Sequence, residues 1–199
     1  EVHRGRTYLS ADDRQVKSVL AINPDGYPDT DLPEQALGFR VQAYGLVKHW
    51  QLFAPRQLTA MVTLSDLVKG VRPDVLADAR KAGLSDAEAE DYARAVCTFL
   101  GLNLSRCADL NNSLCTWNAS DQVLRNLFKR QAIPMVWDFA EANILAEVVG
   151  GWSTCIIRTV KCIETIECQS GQANQIDAAG ARDDARGLLV STDPPYYDN

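Results

Sequence analysis

The segment Asp193-Pro194-Pro195-Tyr196 joins residue types that together can manage a planar amine. An amine attached to a purine ring is a poor nucleophile, because its lone pair is delocalised into the ring. A catalyst must accept its hydrogens while leaving that lone pair aimed at an electrophile. In this pattern the Asp193 carboxylate would accept one hydrogen and the Pro194 carbonyl the other. Pro194 and Pro195 each have a fixed φ, so both acceptors converge without a large ordering cost on binding. Tyr196 then offers a ring for stacking. An amine inside a duplex is out of reach, so the base must be flipped out, and an aromatic face offsets part of the lost stacking.

Such a corner has to be held by something rigid. It is entered from the apolar run Leu188-Leu189-Val190-Ser191, and Gln175-Ile176-Asp177 is a second short run bounded by Gly, Ala and Asp. Both predict strands of an α/β sheet, whose C-terminal strand ends are where ligands gather. The character changes at Ser170-Gly171. Before that point the periodicity is mostly helical. A short strand is expected over 2–9, then a short helix begun by Ser10-Ala-Asp-Asp13, then a Pro- and Asp-rich loop over 23–33. Pro55 suits the first turn of a helix that Gly70 ends, and Pro73 that of a second ending at Gly83. Ser85-Asp-Ala-Glu88 is a capping box for a long helix to about Leu104. Ser120 is expected to cap a helix over 121–130 with Val123, Leu124, Leu127 and Phe128 on its buried stripe. After Gly150-Gly151 a last helical period runs to about Cys168, with enough β-branched residues to leave a strand open.

The Asp-Pro-Pro-Tyr corner is the hallmark of amino-group DNA methyltransferases, and three further stretches resemble one branch of them. Gly38-Phe-Arg-Val-Gln-Ala-Tyr-Gly-Leu46 is the first, and Leu52-Phe-Ala-Pro-Arg-Gln-Leu58 with Ser65-Asp66-Leu67 the second. The third is Arg130-Gln-Ala-Ile-Pro-Met-Val-Trp-Asp-Phe-Ala-Glu-Ala-Asn143. They are similar to the large prokaryotic adenine-specific DNA methylases and cover roughly half the chain in pieces. The resemblance implies an α+β architecture in which a predominantly helical, insertion-like domain (1–170) joins a partial Rossmann-like methyltransferase sheet (171–199). It also implies S-adenosylmethionine as methyl donor, DNA as partner, a cytoplasmic setting, and Asp193, Pro194, Pro195 and Tyr196 as the catalytic residues. That family carries a glycine-rich donor loop and a domain of unknown function. This sequence contains no G-x-G, so no cofactor-binding residue is assigned, and the chain is expected to be an internal piece of a longer enzyme, inactive alone. Two other functions stay open: a helical protein-interaction module with an inert corner, and methylation of RNA or of a protein amide.

The other residue types support no competing chemistry. The 199 residues are 46% hydrophobic and 23% charged, enough for one well-buried core, with no low-complexity run and no apolar stretch of membrane-spanning length. A net charge of -6 and a pI near 4.9 argue against strong DNA binding by this stretch itself. The local basic groupings Arg4/Arg6, Lys48/His49 with Arg56, and Arg125/Lys129/Arg130 are expected to be solvated faces. Cys97, Cys107, Cys115, Cys155, Cys162 and Cys168 lack zinc-site spacing and are expected to be buried reduced thiols. Trp137, Asp138 and Glu141 suggest packing and solvated charge on a helix rather than a substrate contact. His3 and His49 have no partners spaced for a metal or a triad, and no G-x-S-x-G, Walker loop or H-E-x-x-H is present.

Overall fold

Prolines and small polar caps set where the helices begin. In the computed structural model, which describes residues 9–36, 38–129, 132–166 and Ser191, α1 is Asp13–Leu20 and α2 is Pro55–Gly70. They are followed by α3, Arg72–Lys81, by α4, Asp86–Leu110, and by α5, Trp152–Thr165. Asp12 Oδ1 accepts the amides of Arg14 and Gln15 at 2.9 Å each, so α1 starts within the expected Ser10-Ala-Asp-Asp13 stretch, capped by Asp12. Pro55 and Pro73 occupy first turns, where a missing N–H costs nothing. Ser85 and Glu88 form the expected capping box, the Ser85 amide donating to Glu88 Oε2 at 2.9 Å. Short 3-10 turns at Val41–Tyr44 and His49–Leu52 complete the helical content.

The only sheet among the described residues is an antiparallel pair, β1 (Thr116–Asn118) and β2 (Val123–Arg125), with Trp117 opposite Leu124. This overturns the helix expected over 121–130. Asn118 and Asp121 bond to each other across the turn, and Gln122 takes a left-handed φ of 51° that no helix interior admits. Leu124 and Leu127 are buried as the stripe required, but they point inward from a strand and its exit loop, while Phe128 is 56% exposed. The residues around Trp137 are not helical either. Segment 132–149 crosses the surface of the body as an irregular strap, tied by Arg40 N–H to the Ile133 carbonyl (2.9 Å), Ala140 N–H to that of Cys115 (3.0 Å) and Trp152 N–H to that of Ile144 (2.8 Å). The strand expected over 2–9 falls outside the described residues except for Leu9, which is exposed and in no element.

Two apolar clusters meet at Phe53. One gathers Leu32, Val41, Leu52, Leu114, Leu127 and Ile133; the other gathers Met61, Cys107, Leu110, Cys115, Leu124 and Cys155 from α2, α4, the hairpin and α5. With Phe53 packed against both, they draw on residues from before α2 to beyond the hairpin. Toward its N-terminal end α4 leaves this core and packs with α3, where small Ala79, Ala89 and Ala93 permit close helix approach.

Asp109 ties the hairpin to α4. Its Oδ1 accepts the Phe128 amide at 2.9 Å, and its Oδ2 accepts Asn126 Nδ2 at 2.7 Å and Arg106 at 2.6 Å, with the side chain 12% exposed. Hydrogen bonds to a charged group contribute about 1.5–3 kcal/mol net, and orphaned donors add a penalty. Asp109→Ala is therefore expected to lower stability by about 3 kcal/mol in urea unfolding. Asp66→Ala, which breaks an exposed pair with Lys69, should change it by less than about 1 kcal/mol.

Candidate functional site

Asp193, Pro194, Pro195 and Tyr196 lie outside the described residues, as do the segments 175–177 and 188–190 expected to form strands. Ser191, on the way into the corner, is exposed and belongs to no element. What the structure does bring together is residues from two distant stretches, 52–58 and 132–143. Arg56, in the first turn of α2, and Glu141, on the strap, form an ion pair across 85 residues of sequence, with Arg56 Nε 2.7 Å from Glu141 Oε2. The Arg56 guanidinium also stands 5.7 Å from the Phe139 ring centroid, a cation–π distance. The two side chains are 35% and 26% exposed, so the pair is partly shielded from solvent.

Beside this pair lies a pocket of about 250 Å³ lined by Arg56, Gln57, Ala60, Asn111, Glu141, Ala142, Asn143 and Ile144. Gln57 is 3% exposed. Its Oε1 accepts the Ala54 amide at 2.8 Å, which fixes the orientation of the side-chain amide and leaves Nε2 as the free end. Among the described residues Nε2 has no hydrogen-bond partner. Asn111, also buried, donates from Nδ2 to the Cys107 and Gly150 carbonyls at 2.9 and 2.8 Å and so pins the strap's end against α4.

No family model, curated protein or solved structure matches this chain. The chemistry of its own residues therefore carries the functional assignment.

A larger cavity of about 380 Å³ lies between the 26–30 loop, the turn His49–Leu52, α2 and α4, with Phe53, Leu58 and Met61 among its lining residues. The loop beside it is ordered. Trp50 Nε1 donates to Asp29 at 3.0 Å, Lys48 sits 2.8 Å from the same carboxylate, and Tyr27 packs on Trp50 at 5.3 Å. The Lys48 hydrogen bond, then that of Trp50, holds Asp29 below the ordinary carboxylate range, and Asp29 in turn raises Lys48. The stabilisation from Asp29 is therefore complete above its unfolded pKa and disappears only as pH falls through the lowered folded value.

Of the expected basic groupings, Arg4, Arg6 and Arg130 lie outside the described residues, and three of the others face carboxylates. Lys48 faces Asp29 and Asp31, Arg56 faces Glu141, and Arg125 faces Asp121, while Lys129 donates to Thr116 at 2.6 Å and is pushed down by burial and then by Arg125. His49 is tied to Thr30. No group of three or more His, Cys, Asp or Glu among the described residues is placed to hold a metal, and none of their helices is long and apolar enough to cross a membrane.

The cysteines divide. Cys107, Cys115 and Cys155 are buried, Cys97 is half-buried, Cys162 is exposed contrary to expectation, and Cys168 lies outside the described residues. Cys155 and Cys162 share α5 two turns apart, but only the turn facing α4 is covered. Burial, then the neighbouring Cys155, pushes the Cys107 thiol up to about 12, and burial likewise raises Cys115. At about pH 8, iodoacetamide should modify Cys162 in minutes and reach Cys107, Cys115 and Cys155 only on unfolding, as peptide mass mapping would show.

Proposed function

We propose that this chain is part of an S-adenosylmethionine-dependent DNA methyltransferase acting on adenine N6, and that it supplies the corner holding the target amine. The observation that carries this is Asp193-Pro194-Pro195-Tyr196 at the end of the apolar run Leu188-Leu189-Val190. A partial methyltransferase sheet over 171–199 is part of the same proposal. Asp193 and the Pro194 carbonyl take the two amine hydrogens, and Tyr196 stacks on the extruded base.

Bound S-adenosylmethionine would supply an electrophilic methyl group. The described residues contain no strand-loop-helix crevice of the kind that holds such a donor, since their two strands form an antiparallel hairpin. The proposal is accordingly confined to what the corner does to the amine. Lys48, Arg56 and Arg125 are paired with carboxylates, which weakens these three positions as phosphate contacts.

A second function, docking of a protein partner with the corner inert, is favoured by the exposed Phe99 and Leu102 on α4 and Ile157, Val160 and Ile163 on α5. Methyl incorporation by the intact protein separates the two. Replacing Asp193 by Ala should lower incorporation into DNA by about 10²-fold or more, and undiminished incorporation would reject the catalytic corner. RNA and protein acceptors assayed alongside identify the substrate class.

A further inference from the structure

Leu58, Met61 and Val62 share one face of α2, and Leu104 and Ala108 stand one turn apart on α4, so two apolar faces meet with Phe53 around the cavity of about 380 Å³. That volume lies low in the roughly 300–1,000 Å³ range of pockets that enclose small ligands, room for one or two rings. The loop beside it is already fixed. The Thr30 carbonyl accepts the His49 amide at 3.0 Å and His49 Nδ1 at 3.2 Å, Leu32 N–H donates to the Val47 carbonyl at 2.7 Å, and Lys48 and Trp50 hold Asp29. A guest therefore meets a wall that has lost its freedom beforehand, which keeps the ordering cost of binding low.

The lining selects among guests. Trp50 and Phe53 offer rings and Met61 a thioether, groups that favour an aromatic guest over an alkyl chain. The carboxylate and ammonium in the lining, Asp66 and Lys69, pair with each other at 3.2 Å, and the apolar floor penalises an ionised guest. Ser65 supplies a hydrogen-bonding group. Thr59 and Thr63 on the same helix donate their hydroxyls to carbonyls four residues back, at 2.9 and 2.8 Å, whereas the Ser65 hydroxyl has no protein partner among the described residues. It also reaches solvent, since Gln57 Nε2 is the one buried side-chain polar atom among them without a partner. We infer that this cavity binds a small, uncharged aromatic molecule that carries a hydroxyl or similar polar substituent. The ring lies against Phe53, Met61 and Leu104, and the substituent meets Ser65. The site uses no residue of the Asp193 corner and does not rest on the methyltransferase proposal.

The chain's two methionines make the test direct, because Met61 lines the cavity and Met135 packs against the other apolar cluster. The 199-residue chain, labelled at its methionine methyl groups, is titrated with benzyl alcohol, toluene, n-hexanol, benzoate and benzylammonium and followed by NMR. Benzyl alcohol should shift the Met61 methyl signal saturably and leave that of Met135 in place. It should bind more tightly than the other four probes. Ser65→Ala should weaken benzyl alcohol by about threefold or more, as loss of one neutral hydrogen bond predicts, and leave toluene unchanged. Ala108→Leu fills the floor with a good helix former, and Ser105→Leu narrows the mouth from an exposed position of α4. Each, with its fold checked by circular dichroism, should weaken benzyl alcohol by about tenfold or more, the equivalent of closing most of the contact area. The inference is overturned if Met61 does not shift or Met135 shifts equally, if hexanol or either ion binds as tightly as benzyl alcohol, if Ser65→Ala affects toluene and benzyl alcohol alike, or if a folded filling variant binds as well as the parent. Tighter binding of a blocked phenylalanine peptide than of benzyl alcohol would assign the cavity to a side chain of a partner protein and reject a free ligand.

Discussion

Gly151→Ala is expected to destabilise the fold by about 4 kcal/mol, among the larger effects a single methyl group produces. A Cβ at this position would lie 1.9 Å from the Ala146 carbonyl oxygen and 3.1 Å from that of Val148, and both obstacles are backbone. The dihedrals of Gly151, φ -74° and ψ 144°, suit any residue, so the penalty is steric rather than conformational. Relief requires the strap to lift from the start of α5, which breaks the bond from Trp152 N–H to the Ile144 carbonyl and loosens the strap that carries Glu141. Gly45→Ala is the internal control. Gly45 has φ 88° but nothing within 4 Å of a built Cβ, so it should show only the left-handed strain of about 1–2 kcal/mol. Equal shifts of the urea midpoint for the two variants would show that close approach at Gly151 is not what holds the strap.

The Gly150-Gly151 pair illustrates what one sequence does and does not disclose. As punctuation before a helix it was legible, because glycine breaks the apolar period there. Its closeness to the strap and to Ala142 and Leu124 was not, because those contacts join distant segments. The same division runs through the fold. Helices α2, α3 and α4 follow from local chemistry, namely Pro55, Pro73 and the Ser85/Glu88 box, and their starts fall at or within a residue of where those signals place them. The 121–130 segment misleads because Val123, Leu124, Leu127 and Phe128 satisfy a helical period by spacing alone. Its outcome is decided by the Asn118–Asp121 turn and by Asp109, which collects the Asn126 side chain and the Phe128 amide. A strand of three residues leaves too little alternation to outweigh that period.

Site residues divide in the same way. The Asp-Pro-Pro-Tyr corner is a contiguous string, so its chemistry can be read without a fold. Arg56 and Gln57 meet Glu141 and Asn143 only through tertiary folding, and nothing in their local sequence distinguishes them from solvated polar residues. Their one signal was a place in the 52–58 and 130–143 stretches singled out by their sequence, and folding brings Arg56 against Glu141. Trp137 shows the converse. It was expected to pack, yet it is 76% exposed and touches Tyr44 edge-to-face at 5.2 Å.

At Asp193 the expected effects fall on catalysis. Asp193→Ala in the intact protein should reduce the rate of methyl incorporation by about 10²–10⁴-fold, the range lost when a positioned proton acceptor is removed. Under the proposed function the loss should appear in kcat more than in KM, because the carboxylate would oppose positive charge that develops on N6 only as the amine attacks. Asp193→Asn keeps an oxygen able to accept the amine hydrogen but lacks the charge, so its kcat should lie between those of Ala and the parent. Tyr196 should behave in the opposite sense. If its ring serves by stacking, Tyr196→Phe stays near the parent, while Tyr196→Ala raises KM by roughly tenfold or more, the equivalent of losing about 1–3 kcal/mol of base stacking. A plain structural role for the corner would move Ala and Asn together, lowering kcat and raising KM in every variant without this split. Measuring both constants for the four variants on one adenine-containing duplex therefore distinguishes a corner that holds the amine from one that merely ends a strand.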